Sequence, residues 1–149
     1  MANGKHTIEL PVSIEKVWMY ISNIDNWADS VPGYEEHKIV NEKQSTWAIK
    51  GDMGILKKTA KLQVDIHEWV EPRKVAFHFR SLSEDFVGKG HYEADVIDNN
   101  HTRITGYLEI EPVSTKGPLA TMQKTVLKKF VPKTTKDITT AVANQIKTM

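Results

Sequence analysis

From Tyr34 to Glu111 apolar and polar side chains alternate with a period of two, the spacing that puts successive residues on opposite faces of a strand. Turn-favouring residues interrupt the alternation at Asn41-Glu42-Lys43, Gly51-Asp52-Met53-Gly54, Glu71-Pro72-Arg73, Ser83-Glu84-Asp85 and Asp98-Asn99-Asn100. Five interruptions define six strands. Thr7 to Pro11, with Ile8 and Leu10 on one side, adds a seventh at the start. Leu62, Val64 and Ile66 alternate with Lys61, Gln63, Asp65 and His67, and Ile104, Leu108 and Ile110 with Arg103, Thr105, Tyr107 and Glu109. The same register turns Trp47, Ile49, Val75, Phe77, Phe79, Tyr92, Ala94 and Val96 inward. One wet face per strand predicts an antiparallel sheet covered on one side only.

Outside this region the period becomes helical. Ser13 has the chemistry of an N-cap, with Val17, Trp18 and Ile21 forming an apolar stripe behind it. Asn23 to Asp29 forms a second short helix with Ile24, Trp27 and Ala28 inward, before Pro32 and Gly33 force a turn. Leu119, Met122, Val126, Phe130, Ile138, Val142 and Ile146 recur at helical intervals, so a long C-terminal helix should cover the sheet. Pro132 predicts a kink or brief break in it. The expected architecture is α+β: a curved antiparallel sheet of about seven strands, two short helices and a long C-terminal helix kinked near Pro132. Residues 1–149 are expected to form a single domain.

A helix laid across a curled sheet leaves a space whose width depends on the curl. Gly51, Gly54, Gly88, Gly90 and Gly106 lie in or beside strands, where glycine marks bends or close backbone approach. Gly90 and Gly106 fall in inward registers, so they leave either open volume or a bend packed solid. An open space would be lined by Trp47, Ile49, Met53, Leu62, Val64, Phe77, Phe79, Tyr92, Ile104, Leu108, Met122, Val126 and Phe130. Within that apolar lining the Tyr92 hydroxyl, the Trp47 indole N–H and Gln123 are the polar groups that could orient a ligand.

Composition narrows the chemistry. The chain has no cysteine, which excludes disulfides, thiolate nucleophiles and cysteine-based zinc sites and suits a reducing cytoplasm. No apolar run has the length of a signal peptide or a membrane span, so a soluble cytoplasmic protein is expected. A net charge of +1 argues against a dedicated nucleic-acid binder. The charge is unevenly spread: from Lys116 onward there are seven lysines and one acid, whereas residues 1–115 carry thirteen basic and eighteen acidic side chains. Lys124, Lys128, Lys129, Lys133 and Lys136 thus form either a solvated helix face or a contact for an anionic membrane or acidic partner. The six histidines, His6, His37, His67, His78, His91 and His101, show no metal-ligand spacing, so no metal and no cofactor are expected. No nucleophile elbow or phosphate-cradling loop is present, and Tyr92 is the one weak candidate for an acid catalyst.

The order of elements resembles the helix-grip fold of the START-like superfamily, also called the Bet v 1-like or polyketide cyclase (SRPBCC) group. Within it the chain resembles the carbon monoxide dehydrogenase G-like family, on Val12-Ser13-Ile14-Glu15-Lys16-Val17-Trp18, on Val31-Pro32-Gly33, and on Thr102-Arg103-Ile104-Thr105. The resemblance spans essentially the whole chain and implies binding or transport of a small hydrophobic ligand, lipid- or polyketide-like, between sheet and C-terminal helix. Two alternatives remain open. One is an accessory protein docking on a membrane or partner enzyme through the basic helix; the other is a cyclase or aromatase-like enzyme with Tyr92 as proton donor.

Overall fold

A computed structural model describes residues 2–50, 59–82, 86–113 and 117–148, with the side chains of residues 59 and 117–124 outside the description. Strands β1 (Ala2–Leu10), β2 (Tyr34–Ile39), β3 (Gln44–Lys50), β4 (Thr59–Val70), β5 (Lys74–Ser81), β6 (Phe86–Asp98) and β7 (His101–Pro112) form one sheet. Their order is β1-β7-β6-β5-β4-β3-β2, antiparallel throughout, so β1 and β2 are its two edges. Helices α1 (Ile14–Ile21) and α2 (Ile24–Trp27), followed by a 3-10 turn at Ala28–Ser30, carry the chain from one edge to the other. The seven expected strands are present, with the expected breaks at Asn41-Glu42-Lys43, Glu71-Pro72-Arg73 and Asp98-Asn99-Asn100; those at Gly51-Asp52-Met53-Gly54 and Ser83-Glu84-Asp85 lie outside the described residues.

Each short helix starts where its cap chemistry dictates. Ser13 Oγ accepts from the Lys16 amide at 3.4 Å, and Asn23 Oδ1 accepts from the Asp25 amide at 3.1 Å. Strand β1 begins five residues earlier than the alternation of Thr7 to Pro11 predicts, because it pairs with β7 along its whole length. Its first residues lack an apolar rhythm for a packing reason. A Cβ at Gly4 would lie 2.7 Å from the Pro132 Cα, so the helix backbone rests almost directly on the strand.

That helix, α3 (Gly117–Lys147), runs through Pro132 without a break. Its buried seam follows the predicted stripe only at Val142 and Ile146. Leu127, Val131, Thr135, Thr139, Val142, Ala143 and Ile146 are buried, whereas Val126, Phe130 and Ile138 are only half-buried. Two threonines tolerate burial here because Thr135 Oγ1 donates to the Val131 carbonyl and Thr139 Oγ1 to the Thr135 carbonyl, each at 2.7 Å.

Among the described residues the apolar interior divides into three clusters. One joins Leu10, α1, Ala94, Ile104 and the C-terminal turns of α3. A second lies on the inner face of β3–β6 around Trp47, Leu62, Phe79 and Phe86, with Ala28 above. The third joins Ala2 to Leu127 and Val131. Val96, expected inside, is 58% exposed instead. It sits beside the register shift at Val96/Asp98, where β6 runs past the cover of the helices.

Candidate ligand-binding site

The second cluster differs from the first in how it is filled. Its five buried residues are flanked by Tyr34, Ile49, Val64, Phe77, Leu108 and other apolar side chains that face inward yet stay half-buried. Trp27 packs against both clusters and Leu108 joins the second to the third, so the inner face forms one continuous apolar wall.

The inward glycines do not add volume to it. A Cβ at Gly90 would come within 2.8 Å of the Phe77 ring, and one at Gly106 would collide with Thr139 Oγ1. Of the two readings open in the sequence, the tightly packed one holds at both positions. Gly106 lets α3 approach β7, and Gly90 receives the ring of its cross-strand partner Phe77.

Tyr92 stands one inward row from Gly90 and pairs with Val75 and Gly106. Its hydroxyl is buried and has no hydrogen-bond partner among the described residues. Burial pushes its pKa well above the ordinary phenol value, so it remains a neutral O–H across the physiological range. An unpaired buried hydroxyl costs free energy unless something else accepts its proton. Trp47, the second polar group expected to orient a ligand, is not free: its Nε1 donates to the buried Ser45 Oγ at 2.9 Å.

Trp47, Leu62, Val64, Phe77, Phe79 and Leu108 thus converge on the inner face as expected. Ile104 does not. It is 2% exposed and locked in the first cluster, where Tyr92 is also packed. Val126 and Phe130 lie half-buried one row around α3 from its packed seam and belong to none of the three clusters. Met53 falls outside the described residues, as do the side chains of Met122, Gln123 and Lys124. Lys128, Lys129, Lys133 and Lys136 are exposed on α3, with Lys133 paired to Asp137 at 2.8 Å.

A polar group missed in the sequence also faces this wall. The register shift between Tyr34 and Glu36 inserts one extra residue into β2, so that Tyr34 and His37 point the same way despite their odd spacing. They lie opposite Ile49 and Trp47, both inward residues. Tyr34 Oη is 2.7 Å from His37 Nδ1, and His37 Nε2 is 2.6 Å from Asp25 Oδ1. The imidazole stacks on Trp47 at a centroid separation of 5.1 Å. A bulge has no sequence signature at this position, so alternation alone could not have paired these residues.

Among the described residues no group of three or more His, Cys, Asp or Glu side chains could hold a metal ion. No described helix is long and apolar enough to cross a membrane. A depression of about 200 Å³ on the opposite face, lined by His78, Val87, Lys89 and Glu109, is shallow and charged, and none of the described residues predicted as lining reaches it.

Solved structures share this arrangement of sheet, short helices and α3. A conserved protein from Geobacillus kaustophilus matches with a TM-score of 0.78 at 16% identity, covering 98% of this chain and 95% of the other. The Zhui aromatase/cyclase from Streptomyces sp. R1128 matches at 0.77 with 14% identity, covering 97% and 93%. A START superfamily protein from Mycobacterium smegmatis matches at 0.72 with 12% identity, covering 99% of both chains. The fold is START-like. A protein-family model described as "-like:-like" matches residues 1–148 of this chain, which belongs to that family. No curated protein matches it in sequence. At these identities the START-like likeness speaks for architecture alone.

Proposed function

We propose that the chain binds a small, largely apolar molecule bearing a hydrogen-bond acceptor, seated on the inner face of β3–β6 with its acceptor on Tyr92 Oη. The observation that carries this reading is the Tyr92 hydroxyl, buried and without a partner among the described residues, packed against the first cluster that Trp27 joins to the apolar wall. A carbonyl, ether or hydroxyl oxygen on a ligand would satisfy that proton, whereas a pure hydrocarbon would not. The half-buried state of Val64, Phe77 and Leu108 supplies apolar surface that such a ligand would cover.

The START-like neighbours support the class of ligand, since they include an aromatase/cyclase and a START superfamily protein. Lipid- or polyketide-like molecules fit the reading, and a location in the cytoplasm suits it. We assign the chain within the fold to the carbon monoxide dehydrogenase G-like group on its Val12–Trp18 and Val31-Pro32-Gly33 marks.

Native mass spectrometry of the purified protein tests this directly. A discrete added mass, lost on denaturation and diminished in Tyr92→Phe, is the expected result. The reading fails if the protein carries no added mass and gains none after incubation with mixtures of fatty acids, sterols and aromatic ketones.

A further inference from the structure

The hydrogen-bonded line from Asp25 through His37 to Tyr34 has no role in ligand retention as proposed above, yet its geometry is ordered for chemistry. Asp25 has a side chain 66% exposed, His37 one 12% exposed, and Tyr34 packs against the apolar inner cluster. The line therefore runs from solvent, through a covered imidazole, to a phenol on the ligand wall.

The partners fix the roles of the two ring nitrogens. Nε2 faces a carboxylate and carries a proton, so in the neutral imidazole Nδ1 is the acceptor and the Tyr34 O–H points at it. The phenol's lone pairs are then available to something else on the inner face. Trp47 stacks on the imidazole and meets Tyr34 edge-on at 6.0 Å, holding both rings in place.

We propose that Asp25, His37 and Tyr34 form a proton relay that acts as a general base on an apolar ketone with an acidic C–H beside its carbonyl. Tyr34 Oη takes the proton from carbon while its own proton passes to His37 Nδ1. The C–H electron pair becomes the C=C bond of an enolate, and the imidazolium formed is held by the Asp25 carboxylate. Return of a proton along the same line restores the ketone, so the cycle consumes nothing. If the returning proton has exchanged with solvent, the net change is hydrogen replaced by deuterium in heavy water. This rests on the ligand-binding reading above for an apolar ligand on this wall; because three strands separate β2 from β6, a ketone that reacts at Tyr34 does so with its carbonyl away from Tyr92.

The test uses the intact protein with β-tetralone and phenylacetone as probes. Equilibrium dialysis measures binding, and proton NMR in heavy water measures loss of the α-hydrogen signal. General-base catalysis by a placed group is typically worth about 10²–10⁴-fold. Bound probe should exchange at least about tenfold faster than in buffer, a deliberately low threshold beside that range. Tyr34→Phe and His37→Gln should each abolish the gain without preventing binding. Asp25→Asn should retain part of it and alter its pH profile. His101→Gln, at the exposed β6–β7 turn, should change nothing. Probe that binds without faster exchange, or full exchange in Tyr34→Phe, overturns the relay and leaves the ligand-binding reading standing. If neither probe binds, the ligand-binding reading fails for ketones and the relay fails with it.

Discussion

Thr139 Oγ1 of α3 occupies the space that a side chain at Gly106 of β7 would need. The contact seats the helix directly on the sheet, and the threonine's own proton is committed to the Thr135 carbonyl. Thr139 is short and buried, so its hydroxyl has little room to yield.

Gly106→Ala is therefore expected to destabilise the fold by about 1–3 kcal/mol, the usual cost of overpacking a close contact. Adding Thr139→Ala removes the colliding oxygen and leaves the Thr139 Cβ at an ordinary 3.6 Å from the new methyl group. The double variant should recover much of the loss, as measured by urea denaturation. Equal midpoints for Gly106→Ala and the native chain would show that the helix does not seat there.

Ser45 is expected to matter through Trp47. The indole N–H has this hydroxyl as its partner in a buried environment, so Ser45→Ala leaves a donor without an acceptor. A loss of about 1–3 kcal/mol should follow, larger than for a solvent-exposed serine. Thermal or urea unfolding measures it, and no change would mean that water reaches the indole.

Tyr92→Phe should behave in the opposite way. Removing an unpaired buried hydroxyl is expected to leave the ligand-free protein as stable as before, or up to about 1 kcal/mol more so. A clear loss of stability in the empty protein would mean that the hydroxyl is already bonded.

His91 sets a pH dependence. Burial lowers its pKa below the ordinary imidazole value; Glu93 opposes that shift, and Lys74 and Lys5 assist it. With the folded value below the unfolded one, protonation favours the unfolded chain. Its contribution is fully present above about pH 6.5 and is lost as the pH falls through the folded value. Comparing urea midpoints between about pH 7.5 and 5 should show a smaller decline in His91→Gln than in the native chain. Parallel declines would assign the slope to other groups.

The strand breaks at Asn41-Glu42-Lys43, Glu71-Pro72-Arg73 and Asp98-Asn99-Asn100, the one-sided register of β4 and β7 and the caps at Ser13 and Asn23 were legible in the sequence. Each depends on local chemistry: alternation follows from the two-residue repeat of a strand, and a cap needs only a side-chain oxygen beside unpaired amides. The convergence of Trp47, Leu62, Phe77 and Phe79 followed from the same alternation, because antiparallel neighbours share a face.

Only the tertiary structure decided the rest, because each remaining feature depends on partners distant in sequence. The seam of α3 runs through Thr135 and Thr139 because β1 and β7 present glycines there, which no helical hydrophobicity pattern could reveal. The meeting of His37 with Tyr34 and Asp25 depends on a single extra residue in β2 and on where α2 lands against the sheet edge. The isolation of the Tyr92 hydroxyl is a property of everything around it. Sequence alone determined which faces are apolar, through local periodicity, while long-range packing determined which polar groups are stranded or linked within them.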